Sequence, residues 1–353
     1  MCRWFTYLGE EPQLLEDLLL RPAHSITKQI DSHYLPAGHT LTNSPYLPHP
    51  AGHIIANRTS RNTHPAKASD KGSPNALTNM DGFGVGWWSE AFECYTTGIS
   101  GDEALRPATY KNIRPPLNDL VLASMARAIE TKAVVAHVRA TSATPVVETN
   151  CHPFSFGRHL FCHNGVLGSF PLFRVKLLSL LPERYQGTIL GTSDSEHIAA
   201  LYFFHLCGPS GDWNIAYPLK SMIEAMSKTI KVLERMKTEA ENKHGVEPEH
   251  NALNLLVNSG SSLVALRYAS PITREPPSLY YSTTAGATLN RKFKDHPDHG
   301  VEADGRDKEE HGRHVIVASE PNTYNADEWE IIQPGEVVSV EKDMEVRKEM
   351  LEV

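Results

Sequence analysis

The chain opens Met1-Cys2-Arg3-Trp4-Phe5-Thr6-Tyr7-Leu8-Gly9, and the reading of this stretch, MCRWFTYLG, decides the fold. Phe5 to Leu8 are the residue types of a strand. Cys2 therefore stands at the mouth of a sheet, where a merely buried thiol is out of place. Methionine is commonly trimmed before a residue as small as Cys, which would leave Cys2 with both a thiol and a free α-amine. The amine titrates near ~7.7–8.0 and the thiol near ~8.5. Such an amine can serve as base for its own side-chain nucleophile. Position alone equally allows an incidental cysteine, so the rest of the chain has to decide.

Composition narrows the classes. The 353 residues are 40% hydrophobic and 22% charged, as in a soluble globular protein, and the net charge of −8 argues against nucleic acid as a partner. No apolar run approaches the ~20 residues of a membrane span. Glu10, Glu11, Glu16 and Asp17 near the start do not fit a signal or transit peptide. Five cysteines, an odd number in a long chain, suggest reduced thiols and the cytoplasm.

Outward from the first strand, EPQLLEDLLLRPAHSI (11–26) reads as a short amphipathic helix ending near Arg21-Pro22. Residues 34–78 are rich in Pro, Gly, His, Asn, Ser and Thr without period, the composition of a disordered insertion. In NMDGFGVGWW (79–88), Gly82, Gly84 and Gly86 suit a turn feeding a strand packed closely on a neighbour. LNDLVLASMARAIE (117–130) reads as a helix, TKAVVAHVRAT (131–141) as a buried strand, and HLFCHNGVL (159–167) as a strand ending in a turn. SDSEHIAALYFFHLC (193–207) has the cap and acidic first turn of a helix, and a long amphipathic helix follows over 217–243. A hairpin about Asn258–Ser261, then SLYYSTT, HVIVASE, WEIIQPG and EVVSVEK, continue a sheet around a second polar insertion at about 290–312. Strands at both ends with helices between predict an α+β layered domain.

Concentrated polar chemistry lies in Cys2-Arg3, AHVRATS (136–142), HNG (163–165) and TSDSE (192–196). A thiol attacking an amide needs donors for the developing oxyanion, a base, and groups that hold the substrate. Asn164-Gly165 offers a side-chain amide and an unhindered backbone N–H. Arg139 offers a planar fork for a carboxylate, and Asp194 an acceptor for an ammonium. Carboxylate and ammonium on one carbon describe an α-amino acid head group. Each piece has a plainer reading: HNG as a turn, Arg139 as a structural ion pair, Asp194 as a helix cap. Cys151-His152 and Cys162-His163 do not make a metal site, because adjacent strand residues point to opposite faces.

In this order Cys2, HVRATS, ETNCHPF, CHNG and SDSE resemble the class II glutamine amidotransferases, which are N-terminal-nucleophile hydrolases. MCRWF, RPAHSI, DGFGVGWW and GTSDSE, together with the same motifs, resemble one branch of it, the amidotransferase-like subunits of the fungal alternative glutathione-degradation complex. The resemblance implies a four-layer αββα fold, two stacked, mainly antiparallel sheets between helix layers, as one type 2 amidotransferase domain over residues 2–345. It implies Cys2 as nucleophile with its amine as base, and Asn164 and Gly165 as the oxyanion hole. Arg139 and Ser142 would bind the substrate α-carboxylate and Asp194 its α-amine, with His152 and His163 in support. Ser142 departs from the Thr common in the wider family, and Ala140 from the bulky aromatic that often follows the arginine.

The implied activity is hydrolysis of a γ-glutamyl amide through a thioester on Cys2, with glutathione as substrate, no cofactor or metal, and a metallopeptidase-like partner subunit. Alternatives are a glutaminase feeding ammonia to a partner enzyme, a γ-glutamyl sulfoxide hydrolase of ergothioneine synthesis, and an inactive scaffold subunit.

Overall fold

The structure is a computed structural model that describes residues 2–22, 24–29, 81–141, 144–294, 306–323 and 325–353. The insertion expected at 34–78 and the candidate Ser142 lie outside the described residues, as do 295–305 of the second insertion. The first residues of that second insertion are anchored. Phe293 is fully buried, and Arg291 donates to Asp17 Oδ1 at 2.6 Å.

The strands are β1 (Arg3–Leu14), β2 (Phe83–Ser89), β3 (Arg106–Asn112), β4 (Glu130–Val138), β5 (Phe154–Phe156), β6 (His159–Val166), β7 (Asn251–Asn258), β8 (Leu263–Ser270), β9 (Tyr280–Ser282), β10 (His314–Ala318), β11 (Glu330–Ile331), β12 (Glu336–Val340) and β13 (Arg347–Met350). They form a seven-stranded sheet, β11-β9-β10-β1-β4-β2-β3, and a six-stranded sheet, β13-β12-β8-β7-β6-β5. The chain divides into two compact units built from interleaved stretches, residues 1–88, 109–152 and 278–332 against 89–108, 153–277 and 333–353.

The first unit is built around β1. It pairs antiparallel with β10 on one side and β4 on the other, with Arg3 opposite Val138 and Trp4 opposite His137. Phe5 and Tyr7, spaced by two, enter an apolar cluster with Val134, Ala136, Val138 and Ile316. Helices Leu15–Leu19, Leu120–Ala126 and Ala285–Leu289 pack on that cluster through Leu15, Leu18, Leu122, Ala126 and Leu289. Asp119 caps the second of them, accepting the Leu122 N–H at 2.7 Å.

Here the sequence reading needs a correction. The helix expected from Glu11 to about Arg21 is only five residues long, because β1 continues to Leu14. The register with β4 breaks after Leu8 and resumes at Gln13 opposite Thr131, and Pro12 falls in that irregularity, where no ladder bond is demanded of it. Cross-strand pairing outweighs the weak helical preference of the segment.

The second unit holds the other sheet, paired antiparallel throughout. Helix Asp194–Cys207 buries every residue from Ser195 to Phe203. Helix Leu219–His244 is amphipathic. It buries Met222, Met226, Ile230 and Leu233, one side of a 3.6-residue period, and ends at Gly245, whose φ of +62° suits a glycine cap. Helix Phe170–Leu180 adds Phe173 and Leu177 to the same core as Phe161, Leu255 and Leu266. Each unit thus supplies an antiparallel sheet and packed helices, the components of the expected α+β plan.

Candidate active site

In the first unit the site begins at Cys2, the residue before β1. Its half-buried thiol is bracketed by the backbone N–H and carbonyl of Ala140, in the segment after β4. The Ala140 N–H donates to Sγ at 3.3 Å, and Sγ lies 3.2 Å from Ala140 O. Arg3 Nη1 donates to the Cys2 carbonyl at 3.1 Å, and Arg3 Nε donates to Glu320 at 2.6 Å. The second Glu320 oxygen is 3.4 Å from Nε2 of the buried His24, so the RPAHSI motif backs the start of β1.

Arg139 immediately precedes Ala140 and is only 3% exposed. Its backbone is tied on both sides to the turn before β2: its N–H donates to Gly82 O at 2.8 Å, and the Asp81 N–H donates to its carbonyl at 3.1 Å. The Asp81 carboxylate accepts the Thr141 N–H at 2.8 Å. The guanidinium donates from Nη2 to Thr144 Oγ1 at 2.5 Å and from Nη1 to Pro145 O at 3.0 Å. Among the described residues, these two bonds use two of its five N–H donors. His152 approaches β2 where Gly84 stands, since a Cβ there would lie 2.0 Å from His152 O. The His152 ring packs on His137 of β4, with centroids 4.0 Å apart. Burial pushes the neighbouring Cys151 thiol above its usual range, unlike a thiol prepared for nucleophilic work.

In the second unit, β6 carries His163, Asn164 and Gly165 opposite Leu255, Asn254 and Leu253 of β7. Gly165 has φ +150°, and a Cβ on it would stand 1.7 Å from Ala252 O, so glycine alone fits. Asn164 is buried whereas Gly165 is exposed, which keeps the Gly165 backbone reachable. Gly165→Ala is expected to cost about 2–4 kcal/mol of stability, the range of backbone-strain and overpacking substitutions. A melting temperature matching the wild type would show that the close approach to Ala252 is not real.

Asp194 opens helix Asp194–Cys207, yet the capping bond belongs to Ser193, which accepts the Glu196 N–H at 3.3 Å. Asp194 Oδ2 instead accepts the Leu167 N–H at 3.0 Å, joining the helix start to the segment after β6. Its Oδ1 accepts the Ser195 N–H at 2.7 Å and lies 3.2 Å from the Ser195 hydroxyl. Glu196 is buried and accepts the N–H groups of Leu190 and Gly191 at 2.9 and 2.6 Å. The Ser195 hydroxyl is also 2.8 Å from His163 Nδ1. Burial pushes His163 below the ordinary histidine range, against the opposing pull of Asp194, so the ring is neutral near pH 7.

The structure therefore joins Cys2 to the Arg139 segment within one unit, and HNG to the Asp194 helix start within the other. The sequence reading missed Asp81, Thr144 and Ser195. Asp81 sat in a motif read only for its glycines. Thr144 is five residues from the group it binds. Ser195 was overlooked inside SDSE beside a carboxylate that drew the attention. Among the described residues, no helix is long and apolar enough to cross a membrane.

Comparison with known proteins bears on the family and the fold. The "Probable glutamine amidotransferase DUG3" of Saccharomyces cerevisiae is 29% identical over 350 residues, spanning 97% of this chain and 82% of that protein. The solved structure of a glutamine aminotransferase class-II domain protein from Silicibacter pomeroyi aligns over 99% of both chains, with a TM-score of 0.54 at 17% identity, which is likeness of fold. Residues 67–351 match the family described as class-II glutamine amidotransferases. With most of its length covered by that match, the chain belongs to the class-II glutamine amidotransferases, the N-terminal-nucleophile amidohydrolases.

Proposed function

We propose that the protein hydrolyses a γ-glutamyl amide, with glutathione as its substrate in the cytoplasm, releasing glutamate and Cys-Gly. The observation that carries the reading is the thiol of Cys2, held by the backbone of Ala140 next to the buried Arg139, which makes two side-chain hydrogen bonds among the described residues.

After removal of Met1, the Cys2 amine takes the thiol proton and Sγ attacks the γ-carbonyl carbon. The side-chain amide of Asn164 and the N–H of Gly165 receive the oxyanion. The C–N bond breaks, the leaving amine takes the proton from the Cys2 ammonium, and a γ-glutamyl thioester remains. Water, deprotonated by the same amine, attacks the thioester; its C–S bond breaks and the thiol regains its proton. Arg139, with Ser142, binds the α-carboxylate and Asp194 the α-ammonium, while His152 and His163 support the flanking backbone. A metallopeptidase-like partner subunit is the expected companion, since Cys-Gly is a dipeptide product. No cofactor is needed for any step.

Purified protein assayed against glutathione and glutamine separately, with and without candidate partners, tests the substrate. Turnover of glutamine with none of glutathione under every condition would place the chain among the glutaminases. Retaining Met1 should abolish activity, because the amine is then locked in a peptide; full activity of a form whose intact mass includes Met1 would sink the amine-as-base step.

Asp194→Asn keeps the shape and removes the charge. Affinity for L-glutamate should fall by roughly one to two powers of ten, the loss of a charge-assisted hydrogen bond. Binding of glutarate, which lacks the α-amine, should be unaffected. Calorimetric titration of both ligands reads this directly, and equal effects on the two would remove Asp194 from amine recognition.

A further inference from the structure

We propose that Ser195 is a positioning residue that shares its one hydroxyl proton between Asp194 and His163, and that an ammonium arriving at Asp194 moves it to His163. The inference rests on the reading of Asp194 given above, and it adds a connection from the amine site to the strand carrying Asn164 and Gly165.

The geometry leaves the hydroxyl two acceptors. Ser195 Oγ lies 3.2 Å from Asp194 Oδ1 and 2.8 Å from His163 Nδ1, and a serine has one proton to donate. Two arrangements satisfy the Ser195 hydroxyl, and the second also satisfies His163 Nε2 against Ala252 O. In the first, His163 carries its proton on Nδ1 and donates to Ser195 Oγ, and Ser195 donates to Asp194. In the second, His163 carries its proton on Nε2, Ser195 donates to Nδ1, and Asp194 Oδ1 keeps only the Ser195 N–H at 2.7 Å. The second arrangement opens a site on Asp194 Oδ1 beside Oδ2, which among the described residues accepts only the Leu167 N–H, so an incoming ammonium can bond both oxygens. The ammonium thus selects it. The Ser195 hydroxyl rotates from Oδ1 to Nδ1, the imidazole gives its Nδ1 proton to solvent water and takes one at Nε2 from solvent water, and the ring's proton count is unchanged.

The far side of the ring makes this consequential. His163 Nε2 lies 3.5 Å from Ala252 O. That carbonyl is the one against which Gly165 packs, and a Cβ on Gly165 would also stand 3.1 Å from His163 Nε2. In the second arrangement Nε2 donates to Ala252 O, so filling the amine site strengthens a bond at the backbone behind Gly165. The neutral ring that both arrangements need is favoured by the burial of His163, which is 2% exposed.

The test is the 15N NMR of the His163 ring in the full chain, assigned by the signals lost in His163→Gln. Saturation with L-glutamate should change the tautomer ratio toward Nε2–H by about tenfold, the scale of one charge-assisted bond. Glutarate should leave it unchanged. Ser195→Ala should bind L-glutamate without the tautomer change, and Ser195→Thr, which keeps a hydroxyl, should restore it. A ring unchanged by L-glutamate, an equal response to glutarate, or a response that persists in Ser195→Ala overturns the proposal. A wild type that binds L-glutamate no more tightly than glutarate refutes the Asp194 reading itself, and this inference with it.

Discussion

Cys2→Ala should lose turnover by a factor on the order of 10⁵–10⁶, the scale seen when the nucleophile of a covalent mechanism is deleted. Binding of L-glutamate should remain within about threefold, because the thiol is not among the groups proposed to grip the head group. Little structure should be lost either, since the side chain is half-buried and its hydrogen bonds among the described residues are both to the backbone of Ala140. Cys2→Ser should also lose most activity, since a hydroxyl is a far weaker nucleophile near neutral pH. The measurements are single-turnover hydrolysis, a mass search for the γ-glutamyl thioester, and equilibrium binding. A Cys2→Ala protein that turns over at even a hundredth of the wild-type rate would exclude the thioester route.

Removing the amide of Asn164 should separate catalysis from binding. Its proposed hydrogen bond is aimed at charge that appears only in the transition state, so Asn164→Ala should cut kcat by about 10²–10³ and leave KM nearly unchanged. Asn164 is 1% exposed and sits opposite Asn254 in the β6–β7 ladder, so some stability will be lost as well. Asn164→Asp controls for that loss, because it keeps size and shape while replacing the donor with a carboxylate. Both variants should lose kcat alike despite different melting temperatures. Loss that tracks stability, or a rise in KM with kcat intact, would show Asn164 to be a ladder residue only.

Much of the site was legible in the linear chain because its parts are short motifs at element ends. HNG closes a strand, SDSE opens a helix and VRAT leaves a strand, and each carries a local signal of cap, turn or apolar run. The elements that escaped notice lack that signal. β13 is Arg347-Lys348-Glu349-Met350, exposed throughout, with no alternation to announce a strand. β3, likewise, is half-buried at best, so its pattern is diluted. Helix Phe170–Leu180 exposes Leu172, Val175 and Leu180 while burying Phe173 and Leu177, which blurs its amphipathic face.

The sequence by itself determined the α+β class, the buried strand within 131–141, the capped start of the Asp194 helix and the order of the motif residues. Those properties follow from local periodicity and from side-chain chemistry within a few residues. Only the tertiary structure decided that Ala140, 138 positions away, holds the Cys2 thiol, and that Leu167 rather than a cap bonds Asp194. It also decided that β1 runs through Pro12 where a helix was expected. Such partners are chosen by strand register and core packing, which are cooperative over distances along the chain that no local pattern spans.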